Sequence, residues 1–239
     1  MWASIWYNGD MNKRNFFAVA LILCAVSPVA ADVKVDFSRG KWDPAQWIIV
    51  KSPRFDYCHG FTQREGWIEN VCPDVSAEEI FKKYNSSVYS GMVYKEKFSI
   101  GSRVSSKMGF DYRMAPLIVI APELGKSKDG KEEFREHWEI VLYDRGLNVW
   151  HHYMTGDGKP AWFKAASLLL KEEDIYRPGL RHDLVVKIEK TRKGHKQMTV
   201  TCGDYVLQYV DENLPDEFYA GILGCEGRNM FYDFAVSSK

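Results

Sequence analysis

The side chains with the most chemistry to offer lie close together in one tract, from His137 to Tyr153. Glu139 supplies a carboxylate, while His137 and His152 supply imidazoles that exchange protons near neutral pH. Asn148 and Tyr143 add hydrogen-bonding groups, and Trp150 adds a flat ring that is apolar on its faces. A second tract contributes Asp111 and Arg113, the latter a guanidinium fork that suits a carboxylate. Two kinds of proton chemistry fit this set. Hydrolysis of a glycosidic bond needs two carboxylates roughly 5 to 10 Å apart across the bond, and Glu139 with Asp111 is such a pair by type. Elimination from a uronate needs a cation for the acid group and a base for the neighbouring proton. Arg113 with His137, His152 or Tyr153 meets that need by type. The plain alternative is a solvated sheet face bearing cross-strand ion pairs.

Strands must carry these groups, and strand parity decides which of them share a face. In His137 to Asp144 the apolar set Trp138, Ile140 and Leu142 points one way, which leaves His137, Glu139 and Tyr143 on the other. With a turn at Arg145-Gly146 the chain returns through Leu147 to Met154 as a hairpin. If Val149 faces the core, Asn148, Trp150 and His152 join Glu139. In Met108 to Met114 the same logic turns Asp111 and Arg113 outward. His151 and His152 are neighbours on a strand, face opposite ways and make a poor metal pair, so no catalytic metal is expected.

Other elements follow from pattern. Val33 to Phe37, Trp47 to Val50, Trp67 to Glu69, and Tyr89 to Ile100 alternate as strands, and Leu117 to Ile120 is apolar on both faces. A capping box at Ser76 and Glu79 predicts one short helix over 75–84. Trp162 to Leu170 is a strand or a short amphipathic piece. About twelve short strands are predicted, the number of a two-sheet antiparallel sandwich.

Composition narrows the partners. The chain has 239 residues, with 32 basic against 32 acidic residues and no run of one sign, so nucleic acid is a poor partner. Aromatic residues make up 14%, including 8 Trp and 13 Tyr, which suits sugar platforms as well as β structure. From Met11, the basic Asn12-Lys13-Arg14-Asn15, the apolar Phe16 to Val26 and the small Ser27 to Ala31 read as a secretory signal peptide, too short to span a bilayer. The expected organisation is a leader over 1–31, with the signal peptide at 11–31, and one domain over 32–239. The protein is then secreted or periplasmic. Export leaves Cys58, Cys72, Cys202 and Cys225, an even number for which disulfides are the default. Of three connectivities the favoured one joins Cys58 to Cys72 and Cys202 to Cys225. Oligomeric state is open.

The C-terminal run completes the fold class. His182 to Glu189 and Gln197 to Leu207 form two strands, and Phe218 to Val236 carries two more around a glycine-containing turn. The His-x-Leu-x-Val-x-Ile strand and the closing Gly-Ile, Glu-Gly and Phe-Tyr-Asp-Phe-x-Val elements resemble the last strands of concanavalin A-like (lectin/glucanase) jelly rolls. That resemblance implies an all-β jelly-roll sandwich and a polysaccharide or oligosaccharide partner on the concave sheet face. The protein would cleave it as hydrolase or lyase, or bind it as a non-catalytic module. Jelly-roll glucanases usually carry Glu-x-Asp-x-x-Glu on one strand, whereas here Val141 stands at the Asp position and Asp144 comes one residue late. No cofactor is expected. A structural calcium is the one option that the resemblance adds, with Asp36, Asp157 and Asp233 as candidate ligands.

Overall fold

In chain order the strands are β1 (Val33–Asp36), β2 (Trp47–Ile49), β3 (Phe61–Arg64), β4 (Trp67–Asn70), β5 (Ser90–Tyr94), β6 (Phe98–Ser99), β7 (Arg103–Phe110), β8 (Pro116–Ala121), β9 (Leu124–Lys126) and β10 (Glu132–Phe134). They continue as β11 (His137–Tyr143), β12 (Gly146–Met154), β13 (Pro160–Leu169), β14 (His182–Lys190), β15 (Lys196–Cys202), β16 (Tyr205–Val210), β17 (Glu217–Gly224), β18 (Asn229–Phe231) and β19 (Asp233–Ser237). This computed structural model describes residues 32–55, 60–70, 89–111, 116–225 and 227–238. The leader, the helix expected over 75–84, Cys58, Cys72 and Arg113 all lie outside the described residues.

Two antiparallel sheets face each other. One has nine strands, running β16-β15-β14-β7-β18-β4-β3, with β19 also on β7 and β1 on β19. The other has eight, running β13-β12-β11-β8-β17-β5-β2, with β6 also on β17. Between them lies a shared core that includes Trp138, Ile140, Leu142, Leu184, Val186, Ile188, Phe231 and Phe234, and period-two spacing accounts for the first six. Phe231 and Phe234 are three apart, the wrong spacing for one face of a regular strand. The ladder explains how both reach the core. Phe231 lies opposite Met108 and Ala235 opposite Ser105, so one extra residue is taken up around Tyr232 as a bulge.

The C-terminal block does not form one sheet, as its four-strand pattern suggests. Gln197 to Leu207 breaks at Gly203, whose left-handed φ of +58° turns the chain between β15 and β16. Strand β17 then crosses to the eight-stranded sheet, and β18 and β19 return to the other. Such crossing is how a jelly roll closes.

The expected Cys202 to Cys225 bridge is absent, and the described residues contain no disulfide. Cys202 lies on β15 and packs in the core between the sheets, whereas Cys225 follows β17 and packs in a second apolar cluster. That cluster holds Val93, Leu117, Val119, Val141 and Leu223, whose strand neighbours Met92, Ile118, Ile120, Ile140 and Ile222 lie in the inter-sheet core. The cluster therefore coats the outer face of the eight-stranded sheet, and the thickness of that sheet separates the two sulfurs. Burial pushes the Cys202 thiol up from its ordinary value, with a Tyr176 hydrogen bond pulling the other way.

Val50, Phe55, Tyr89 and Phe134 join the outer cluster from outside the sheet's central strands. Much of the face expected to lie open is thus roofed over apolar residues, which is why β8 is buried along its whole length.

Candidate functional site

The site is built on the β11–β12 hairpin, whose register fixes every contact in it. Tyr143 pairs with Gly146 across a two-residue turn, and from there Val141 faces Asn148, Glu139 faces Trp150, and His137 faces His152. Gly146 is required at the turn. Its φ is +146°, and a Cβ there would come within 1.9 Å of the Leu168 carbonyl oxygen. A side chain at this position would separate β12 from β13 and disturb the hairpin register.

The alternation then works as expected, with Trp138, Ile140, Leu147 and Val149 in the core and His137, Glu139 and His152 on the outer face. These three converge. His152 Nε2 lies 3.1 Å from one Glu139 carboxylate oxygen and His137 Nε2 lies 3.5 Å from the other. The two imidazoles stack, centroids 4.6 Å apart and planes 11° apart. All three residues are buried, Glu139 at 5% exposure. Arg54 completes the cluster, its Nη2 donating to both Glu139 oxygens at 3.3 and 3.4 Å. Burial pushes the Glu139 carboxyl up, but His152, His137 and Arg54 together outweigh it and hold the group well below the ordinary carboxylate range. For His137 burial is the larger effect and lowers its pKa, against the upward pull of Glu139. Glu139 is therefore a fixed anion in a nearly dry setting.

Trp162 covers this cluster. Its ring lies 6.2 Å from that of His152 at 22°, and the Arg54 guanidinium sits 5.3 Å from its centroid. With 48% of its surface exposed, Trp162 is the aromatic group that the cluster presents to solvent. It faces His152 because Ala165 bulges out between the Val149–Ala166 and Trp150–Lys164 pairs. Parity counted back from Leu169 is therefore shifted, and Trp162 was not legible as a site residue. Arg54 was hidden for another reason. It lies in the irregular segment after β2, where no periodicity applies. Its only sequence signal is a cation followed by an aromatic residue, Phe55, whose ring its guanidinium also approaches at 5.1 Å.

Other candidates fall elsewhere. Trp150 and Tyr143 are half-buried and pack against the outer apolar cluster, and the Asn148 side-chain oxygen is buried without a hydrogen-bond partner. Asp111 does not join Glu139. It follows β7 in the nine-stranded sheet, with Arg228 Nε 3.7 Å away, so the carboxylate pair proposed for hydrolysis is not assembled. The similar polarity of β7 and β11 concealed their membership of different sheets. The calcium candidates fare likewise. Asp36 and Asp233 are cross-strand neighbours, but Asp157 is held in the β12–β13 turn by Thr155 and Lys159. Among the described residues, the one group of three ligand-type side chains with converging donor atoms is His137, Glu139 and His152.

The opposite face carries a second His–carboxylate pair. His151 stacks on Trp138 at 4.3 Å and 9°, with its Nε2 2.9 Å from Glu136. Phe163, paired with His151 across β12 and β13, stands beside it and is 47% exposed. Together they line a cleft of about 790 Å³ with Arg135, Tyr153 and Asp211.

Two antiparallel sheets packed face to face, with strands that cross between them, have the fold of a concanavalin A-like jelly roll. Solved structures share it. A protein of unknown function with a galectin-like fold from Bacillus subtilis superposes with a TM-score of 0.54 at 12% identity, covering 87% of this chain and 96% of its own. The β-porphyranase from the human gut bacterium Bacteroides plebeius gives 0.52 at 8% identity, covering 87% and 92%. No protein-family profile and no curated protein matches the chain. At these identities the likeness speaks to fold alone.

Proposed function

We propose that this is an exported glycan-binding protein, secreted or periplasmic, whose single domain over 32–239 binds a polysaccharide or oligosaccharide on the outer face of β11, β12 and β13. The observation that carries the reading is Trp162, a half-exposed indole lying directly over a buried, charged cluster of Arg54, Glu139, His137 and His152. Sugars present apolar C–H faces and polar hydroxyl edges, so they suit an aromatic plate bordered by fixed hydrogen-bonding groups. Lys164, on the same strand face, and Arg54 favour glycans with acidic units. The leader pattern supports export, and among the described residues no helix is long and apolar enough to cross a membrane.

Recognition is favoured over turnover. The histidines and Arg54 hold the Glu139 carboxyl well below the ordinary carboxylate range, which disfavours a proton-donor role, and its proposed carboxylate partner Asp111 belongs to the other sheet. The test is a panel of neutral and acidic polysaccharides against the purified protein, measuring affinity, new reducing ends and the absorbance of unsaturated uronates. Affinity without either product is the expected result. New reducing ends would mark a hydrolase and unsaturated products a lyase, whereas no affinity for any glycan would end the reading.

A further inference from the structure

We propose that His137, Glu139 and His152 form a binding site for a divalent transition metal of the zinc class. The argument begins with the proton on His137. Its Nδ1 lies 3.2 Å from the Arg135 carbonyl oxygen. A carbonyl only accepts, so Nδ1 carries the proton and Nε2 of the neutral ring presents a lone pair. That lone pair faces a Glu139 oxygen at 3.5 Å, which is also an electron-pair donor. Two donors facing each other in a buried space lack the cation between them. An N–H donated to a backbone carbonyl behind the ring is also how metal-binding imidazoles are commonly oriented.

The second observation is independent of the tautomer. The Nε2 atoms of both His137 and His152 are buried, in rings at 1% and 3% exposure, and each faces a Glu139 oxygen, at 3.5 and 3.1 Å, without a well-directed hydrogen bond. Buried polar atoms of this kind are rare without a ligand. Spacing agrees with the proposal. A tetrahedral ion with bonds of about 2.0 to 2.1 Å has ligand atoms roughly 3.3 Å apart, and the two nitrogen-to-oxygen separations are 3.1 and 3.5 Å. The three donor atoms all lie within 4.8 Å of one another, so a modest rotation of the stacked rings brings both nitrogens to one ion.

Donor chemistry selects the metal. Two imidazoles and one carboxylate suit zinc, cobalt, nickel, copper or iron, whereas calcium takes six or more oxygens. Arg54 neutralises part of the Glu139 charge and competes with the ion for it, which favours an ion held chiefly by nitrogen. Three protein ligands leave a position for water or for an oxygen of a bound molecule.

The inference is independent of the glycan reading, and the two fail separately. Metal binding without glycan affinity ends that reading alone, and glycan affinity without metal binding ends this proposal alone. The test uses the full chain, without a polyhistidine tag, stripped by chelator dialysis and titrated calorimetrically with Zn²⁺ and Co²⁺. One equivalent of each ion is expected, and His152→Ala and Glu139→Gln should weaken binding at least about tenfold. Glu136→Gln, which alters the pair on the opposite face, should keep wild-type affinity. Should the site variants misfold, nitrogen NMR of labelled histidines in the wild-type protein supplies the same answer: zinc should shift the Nε2 signals of His137 and His152 and spare His151. No binding to the folded wild type, or binding that shifts only His151, overturns the proposal.

Discussion

His151 and His152 are adjacent in the chain, yet strand alternation sends them to opposite faces of one sheet and into different environments. His152 meets Glu139, whose side chain is 7% exposed, and that carboxylate is shared with His137 and Arg54. His151 meets Glu136, whose side chain is 45% exposed and borders an open cleft. The pairs are alike in composition and differ in water. In the dry cluster each charge depends on its partners because desolvation is expensive, whereas solvent screens the wet pair and leaves it worth little. A His–carboxylate pair read from sequence therefore carries no fixed meaning until burial is known.

The residue between the two faces should show the largest effect. Trp138 is fully buried in the inter-sheet core and is the plate on which His151 stacks. Trp138→Ala is expected to cost about 3 to 5 kcal/mol, measured as a lower urea midpoint at unchanged slope. It should also loosen the Glu136–His151 pair before the Glu139 cluster. A loss below about 1 kcal/mol would mean that the core is not where the alternation places it.

Next come the two carboxylates. Glu139→Gln should destabilise by about 3 kcal/mol, because it leaves Arg54, whose side chain is only 19% exposed, without its counter-charge. Glu136→Gln should cost less than about 1 kcal/mol. Equal losses in the two variants would erase the distinction drawn between the faces.

Much of this comparison was legible in the sequence. Period-two alternation placed Trp138, Ile140 and Leu142 inward and His137 and Glu139 outward, since one buried face fixes strand phase, and His152 joined them on the condition, met in the structure, that Val149 faces the core. Irregularity concealed the rest. The bulge at Ala165 shifted the phase that would have exposed Trp162, Arg54 lies where no period operates, and sheet membership separated Asp111 from Glu139. The cysteine count suggested a bridge that burial in different clusters does not allow for Cys202 and Cys225.

A third histidine sharpens the contrast by pH, with the smallest effect. His182 sits against Phe110 and Tyr176, away from both pairs, and burial lowers its pKa, with Asp183 opposing. The fold therefore keeps it neutral while the unfolded chain protonates it more readily. Stability should fall as pH drops below the ordinary imidazole value of about 6.5, until the folded form also protonates. His182→Gln should remove part of that acid sensitivity, seen as a flatter dependence of the urea midpoint on pH. An unchanged slope would assign the acid loss to other groups.

The two faces end in matched aromatic residues, Trp162 beside the Glu139 cluster and Phe163 beside the His151 cleft, at 48% and 47% exposure. Calorimetric titration of Trp162→Ala and Phe163→Ala with the tightest-binding glycan of the panel compares the faces directly. Trp162→Ala should weaken binding by at least about tenfold, the loss of roughly 1.4 kcal/mol or more, while Phe163→Ala should match the wild type. Intact binding in Trp162→Ala together with a loss in Phe163→Ala would contradict the assignment and move the glycan to the cleft around His151.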